Sequence, residues 1–249
     1  MGWQKTILLF FPLALSIASP IKAASPLAVA QRELKRVRSR SAEEPLRWIE
    51  EARLLYYHGK YSNDKSTKQK FFDEGQQLAW KARKAKPKDL GAILWWAANR
   101  GELAEIKHNL VALGYLKEIE AALLELKEID PDYFFRAADR VLGRIYQRAP
   151  SFVSIGSKSK AEAHFKEAMR TAGHYPCNRI FYANFLLEQG DKKGAKRLAR
   201  SVLNAPNLNK YPIEKYDWIS MAQEIMKATK DSPTTLPHSG FQNPKAIVY

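Results

Sequence analysis

Two Ser-x-x-Lys spacings, Ser62 to Lys65 and Ser157 to Lys160, hold the residue pair of a serine acyl-enzyme. There a hydroxyl nucleophile sits one helical turn from the lysine that activates it, and Ser-Asp-Asn and Lys-Thr-Gly elements complete the machinery. Neither companion element occurs in this chain, and Ser159-x-x-Glu162 reads instead as a capping box at a helix start. The five histidines (His58, His108, His164, His174 and His238) are scattered, none at a metal-ligand spacing from another His, Cys or carboxylate. His164-x-x-Glu167 could share one helix face, but two ligands do not close a zinc site. Gly-rich phosphate cradles are also missing. Cys177 is the only cysteine, which excludes an intrachain disulfide and reads as a buried small hydrophobe. The sequence therefore points away from catalysis, and neither cofactor nor metal is expected.

Binding chemistry is better represented. Trp95 and Trp96 are adjacent, as are Phe134 and Phe135, and a helix directs such neighbours about 100° apart. One ring of each pair can fill a seam while the other projects. Arg136, Arg140 and Arg144 recur at four-residue intervals and form a stripe along one helix side. Apolar walls beside guanidinium groups suit an amphipathic ligand carrying a carboxylate or another anion. The alternative is that the rings are inter-repeat core and the arginines a solvated edge. Aromatics among basic residues also suit nucleic acid, but the export argued below makes that partner unexpected.

These side chains must be positioned by helices. From residue 45 onward the apolar residues recur with helical period, and no alternating strand pattern stands out. Leu142-Gly143-x-x-Tyr146, followed by Ala161-x-x-x-Phe165-x-x-Ala168, is the pattern of a tetratricopeptide-type helix pair. Its small residues permit close approach, and Leu142, Tyr146 and Phe165 fill the seam. Prolines at 87, 131, 176 and 206 each follow a helical run that they cannot continue. The first two intervals exceed the roughly 34 residues of a standard repeat, which we attribute to longer links. Four units follow: residues 45–58 with 71–86, 90–99 with 113–129, 133–148 with 159–171, and 178–189 with 192–203. A last helix over 213–227, with Tyr216, Ile219, Ala222 and Ile225 or Met226 on one stripe, would cap the array.

The ends read differently. Lys5 is followed by an apolar run too short to span a bilayer, then by small residues, which describes a secretory signal cleaved after Ala23 or Ala30. No cysteine lies near either point to accept a lipid anchor. Residues 1–30 are thus assigned to the signal and the start of the mature chain. Residues 31–44 form a basic leader containing Arg32, Lys35, Arg36, Arg38 and Arg40, expected as a solvated arm or a lipid contact. Residues 45–230 form the repeat domain, and 231–249 an aperiodic tail expected to be disordered. The formal net charge of +15 favours anionic neighbours.

A narrower likeness rests on Arg140, Leu142-Gly143-Arg144-Ile145-Tyr146, the loop Ala149-Pro150-Ser151, and Ser154-Ile155-Gly156-Ser157-Lys158. With Ala161-x-x-x-Phe165-x-x-Ala168 and Asn178-Arg179-x-x-x-Ala183-x-x-Leu186, this stretch resembles the T-component family of TRAP-type transporters. The resemblance, covering roughly residues 90–205, implies a periplasmic accessory protein that associates with a solute-binding protein. It further implies a homotrimer and passage of apolar or acidic ligands through a pore-like cleft. The expectation is an all-α fold: stacked antiparallel helix pairs in a TPR-like α-solenoid with a C-terminal capping helix. It would serve as an exported, non-enzymatic binding module whose partner-binding residues are Trp95, Trp96, Phe134, Phe135, Arg136, Arg140 and Arg144. The alternative function is an envelope scaffold held at an anionic membrane surface by its charge.

Overall fold

The computed structural model describes residues 25–40, 44–107, 110–152 and 154–230. The signal expected before residue 25 and the tail expected at 231–249 lie outside these residues. Among the described residues all regular structure is helical. Four antiparallel pairs follow one another: α2 (Pro45–Tyr61) with α3 (Lys65–Ala85), α4 (Leu90–Lys107) with α5 (Leu110–Ile129), α6 (Tyr133–Arg148) with α7 (Lys158–Ala172), and α8 (Pro176–Glu188) with α9 (Lys192–Leu203). A final helix, α10 (Lys215–Ala228), packs on both α8 and α9. Each helix packs on the next in sequence, and α2, α4, α6 and α8 also touch their counterparts in adjacent pairs. The molecule is therefore a TPR-like α-solenoid with a capping helix.

The same device closes the first and third pairs. Gly59 of α2 lies against the ring of Phe72 in α3, and Gly143 of α6 lies against Phe165 in α7. A Cβ at either glycine would come within 2.7 Å and 2.8 Å of those rings, respectively. Buried alanines on the facing helices, Ala79 and Ala82 in α3 and Ala161 and Ala168 in α7, let the backbones approach. These small-against-large contacts are what the repeat pattern encodes.

Helix starts follow from local chemistry. The Asp64 carboxylate accepts from the Thr67 amide at 2.7 Å, and Asp191 accepts from Gly194 at 2.8 Å. At α7 the cap is Ser157, whose hydroxyl accepts from the Lys160 amide at 3.3 Å. The capping box expected from Ser159 and Glu162 is displaced, because α7 begins two residues earlier than its apolar pattern. The capping helix also differs: Trp218, Ala222 and Ile225 form its buried stripe, with Tyr216 and Ile219 only partly covered.

The leader is the largest departure. Instead of a solvated arm, residues 26–38 form α1 (Pro26–Arg38), capped by the Ser25 hydroxyl, which accepts from Ala28 at 3.2 Å. Val29, Ala30, Leu34 and Val37 are buried, and α1 packs along α2. Its Arg38 reaches the buried Glu51 at 3.2 Å, while Arg36 with Glu33 at 2.9 Å, and Arg40 just beyond the helix with Glu50 at 2.6 Å, make surface ion pairs. Exposed pairs of this kind contribute about 0–1 kcal/mol each. The four buried apolar side chains, at about 1.5–3 kcal/mol for each large one, hold α1 in place.

Candidate functional site

The inner helices are joined side chain to side chain in a closed circuit. From α2 to α4, the Tyr56 hydroxyl donates to Glu102 Oε1 at 3.0 Å. From α4 to α6, Arg148 Nε donates to Glu105 Oε1 at 3.2 Å. From α6 to α8, Arg140 Nη1 donates to Asn178 Oδ1 at 3.0 Å, and Arg144 Nη1 to Asn184 Oδ1 at 2.6 Å. From α8 to α10, the Trp218 indole donates to the Cys177 sulfur. The circuit returns from α10 to α2 through an ion pair between Asp217 and Lys60, and through the Tyr61 hydroxyl, which donates to the Ile213 carbonyl at 3.1 Å. Arg53 and Glu214, 3.6 Å apart, flank this last joint.

Burial makes the charges of this interior unusual. Glu102 is buried, and loss of solvent raises its carboxyl to about 7 despite nearby Lys60 and the Tyr56 hydrogen bond. Burial likewise lowers the Arg144 guanidinium to about 10, with Arg148 adding repulsion. The Cys177 thiol is pushed up to about 11 by burial, so it is neutral and inert at ordinary pH. Burial and the adjacent Asp217 also raise Tyr61, which stays a donor. A charged group arriving on this face meets cations and carboxylates in a low-dielectric setting, where electrostatic attraction exceeds that in water.

Arg140 has a second task. Phe134, Phe135 and Arg136 all adopt left-handed backbone, with φ of 44°, 58° and 63°. None is glycine, so the turn is strained by roughly 1–2 kcal/mol per residue. Arg140 Nη1 donates to the Phe135 carbonyl at 3.1 Å and Asn178 Nδ2 to the same oxygen at 3.0 Å. The Phe135 ring stacks on Tyr175 at 4.4 Å, and the Arg140 guanidinium lies 5.1 Å from the centre of that tyrosine ring. This cluster holds the turn in place.

The seven residues singled out from sequence do not share one setting. Phe134, Phe135 and Arg140 come together at the left-handed turn, and Arg144 lies one helical turn further along the inner face. Arg136 is turned to another network, paired with Asp132 at 3.2 Å, with Asp139 at 3.0 Å and with Glu167. Asp139, fully buried, also accepts from Lys127 and lies 2.7 Å from His164 Nδ1. Trp95 is buried against Tyr56 and Tyr57 of α2, whereas Trp96 points about 100° away, toward Trp80 of α3. The tryptophans therefore do not share a groove with the arginines. Sequence reasoning missed Lys60, Glu102, Tyr175 and Asp217. Only Glu102, an acid set between Gly101 and Leu103 in the mostly apolar α4, carried a local signal.

The serine–lysine spacings serve structure. Ser157 is the α7 cap described above, and Ser62 closes α2 by donating to the His58 carbonyl at 2.7 Å. Among the described residues no three His, Cys, Asp or Glu side chains gather as a metal set, and no helix is long and apolar enough to cross a membrane.

Comparison with known proteins agrees with this geometry. Among solved structures, a thermophilic TPR protein of Thermus thermophilus superposes with a TM-score of 0.56 at 17% identity, covering 81% of this chain and 89% of that one. At that identity the likeness establishes the fold. No curated protein sequence matches. A family model for the TRAP transporter T-component matches residues 28–223, from within α1 to within α10 and hence the whole helical circuit. On that match, the chain belongs to the TRAP transporter T-component family.

Proposed function

We propose that this protein is an exported, non-enzymatic accessory component of a TRAP-type solute uptake system, docking a periplasmic solute-binding protein and receiving an amphipathic, acidic ligand on its inner face. The observation that carries this reading is the desolvated Arg144, placed between α6 and α8 beside Phe181 and one helical turn beyond Arg140, which lies over Tyr175. Its guanidinium lies 4.9 Å from the centre of the Phe181 ring. A ligand carboxylate reaching Arg144 would replace its neutral amide acceptor Asn184 with a charge-assisted bond, while its apolar part packs on the rings. Pore-like passage and a homotrimer are what the family resemblance adds to this reading. The test is affinity capture from native envelope extract, with mass spectrometry of co-purifying proteins and small molecules. A solute-binding protein and a carboxylate ligand are expected, both reduced by Arg144→Gln. Their absence from the wild-type capture would overturn the proposal.

A second reading, an envelope scaffold at an anionic surface, has one specific support. Helix α9 presents Lys192, Lys193, Lys196, Arg197 and Arg200 opposite its buried Ala195, Ala199 and Val202, and contains no acidic residue. A basic face of this kind attracts acidic headgroups at about 1 kcal/mol per cation near the surface. Binding to acidic vesicles that falls steeply with salt, and with charge reversal at Lys193 and Arg197, would favour this reading.

A further inference from the structure

On the Trp96 side of α4, helices α3 and α5 both pack on α4 and leave a groove between them of about 280 Å³. Its walls and floor are Gln76, Gln77 and Trp80 from α3, Trp96 and Arg100 from α4, and Glu118 from α5. Trp80 is the informative member. It is 45% exposed, whereas Trp95, Trp96 and Trp218 are buried. An indole left in water at the mouth of a groove contributes little to folding but offers a flat apolar platform.

The polar groups around that platform are held and balanced. Arg100 is fixed from several sides: it pairs with Glu118, donates to Gln76 Oε1 at 3.1 Å, and sits between the Trp96 and Tyr115 rings at 5.2 Å and 3.8 Å. Arg83, 5.8 Å from the centres of both the Trp80 and Trp96 rings, pairs with Glu125. Both cations are thus paired to carboxylates, and neither presents a bare charge to an incoming ion. Asp73 orients the two amides, accepting from Gln76 Nε2 at 2.7 Å and from Gln77 Nε2 at 2.9 Å. With its amide nitrogen held by Asp73, Gln77 keeps its carbonyl oxygen to accept from a hydroxyl.

An exposed indole face, planar amide and carboxylate acceptors, a fixed guanidinium donor and charges that are already partnered together suit a neutral ring with an apolar face and a hydroxyl edge. We propose that the groove between α3 and α5 binds a neutral saccharide, with Trp80 as its stacking platform. The site is separate from the inner face and does not depend on the solute-uptake reading. A saccharide ring lies its C–H face on Trp80, its hydroxyls reaching Gln77, Glu118 and the outer edge of Arg100. The groove volume accommodates one or two sugar units.

The test is titration of the full chain, by intrinsic tryptophan fluorescence and calorimetry, with glucose, galactose, N-acetylglucosamine and their disaccharides. At least one should give saturable binding of one ligand per chain. Trp80→Ala should weaken it by about tenfold, the loss of one ring-stacking contact, while helicity stays unchanged. Trp80→Phe should retain most of the affinity, and Gln77→Ala should cause a smaller loss. The proposal is overturned if none of these sugars binds at up to about 10 mM, a concentration well above a millimolar dissociation constant. It is equally overturned if binding survives Trp80→Ala, or if a proline-rich peptide or a fatty acid occupies the groove and the sugars do not.

Discussion

The Tyr61 hydroxyl reaches across 152 residues of sequence to the main-chain carbonyl of Ile213, 3.1 Å away, and so ties the end of α2 to the entry of α10. Beside it the ammonium of Lys60 meets the carboxylate of Asp217, both largely withdrawn from water. Removing one partner of such a pair strands the other charge, at a cost of about 3–5 kcal/mol. Asp217→Asn and Lys60→Met should therefore each destabilise strongly, and the double variant by less than either. Urea denaturation in a double-mutant cycle measures this; additive losses would mean that the pair does not hold the joint.

The buried Glu102 sets a pH dependence. Its carboxyl titrates near 7 in the folded chain and at its ordinary, lower value when unfolded. The folded state thus holds a proton that the unfolded chain has released. That contribution to stability is fully present below the unfolded pKa and is lost as pH rises through about 7. The full difference amounts to about 3 kcal/mol. Stability measured from about pH 4 to pH 8 should decline over this window, and Glu102→Gln should flatten the decline.

Gly143 offers a contest between two effects. Alanine in a helix interior gains about 0.5–1 kcal/mol over glycine, but here its Cβ would come within 2.8 Å of the Phe165 ring. Overpacking of that kind costs about 1–3 kcal/mol, so Gly143→Ala should lower the melting temperature. Phe165→Leu in the same chain should restore part of the loss.

At the left-handed turn the two phenylalanines should respond differently to glycine. Phe134 is 36% exposed, so relief of backbone strain offsets the lost ring contact and Phe134→Gly should be close to neutral. Phe135 stacks on Tyr175, so Phe135→Gly should cost about 2 kcal/mol despite the same relief. Equal effects at the two positions would refute this division of roles.

Much of the fold is legible in the sequence because helix pairing is a local matter. The small residues and the rings facing them recur at helical spacing, and Gly143 with Phe165 lies where that pattern predicts. The first helix is hidden because its arginines dominate composition, although Val29, Ala30, Leu34 and Val37 mark an apolar face. Ser157 is not an obvious cap because α7 starts before its first apolar residue. The inner circuit is not legible at all. Lys60 and Asp217 look like ordinary surface charges, and nothing local announces that the array curls until they meet. Left-handed backbone at Phe134, Phe135 and Arg136 is equally silent, since no glycine marks it. For the candidate site, residue type is informative but direction is not: Trp95 and Trp96 are neighbours in sequence, yet one meets α2 and the other α3.

Most helical arrays grow by duplication, since an open end accepts another unit wherever one stops. Here Asp217 must find Lys60, and an extra pair of helices inserted between them would carry the two out of reach. Diversity in a protein built this way has to come from substitutions lining its interior rather than from added length, and its number of units is fixed by geometry.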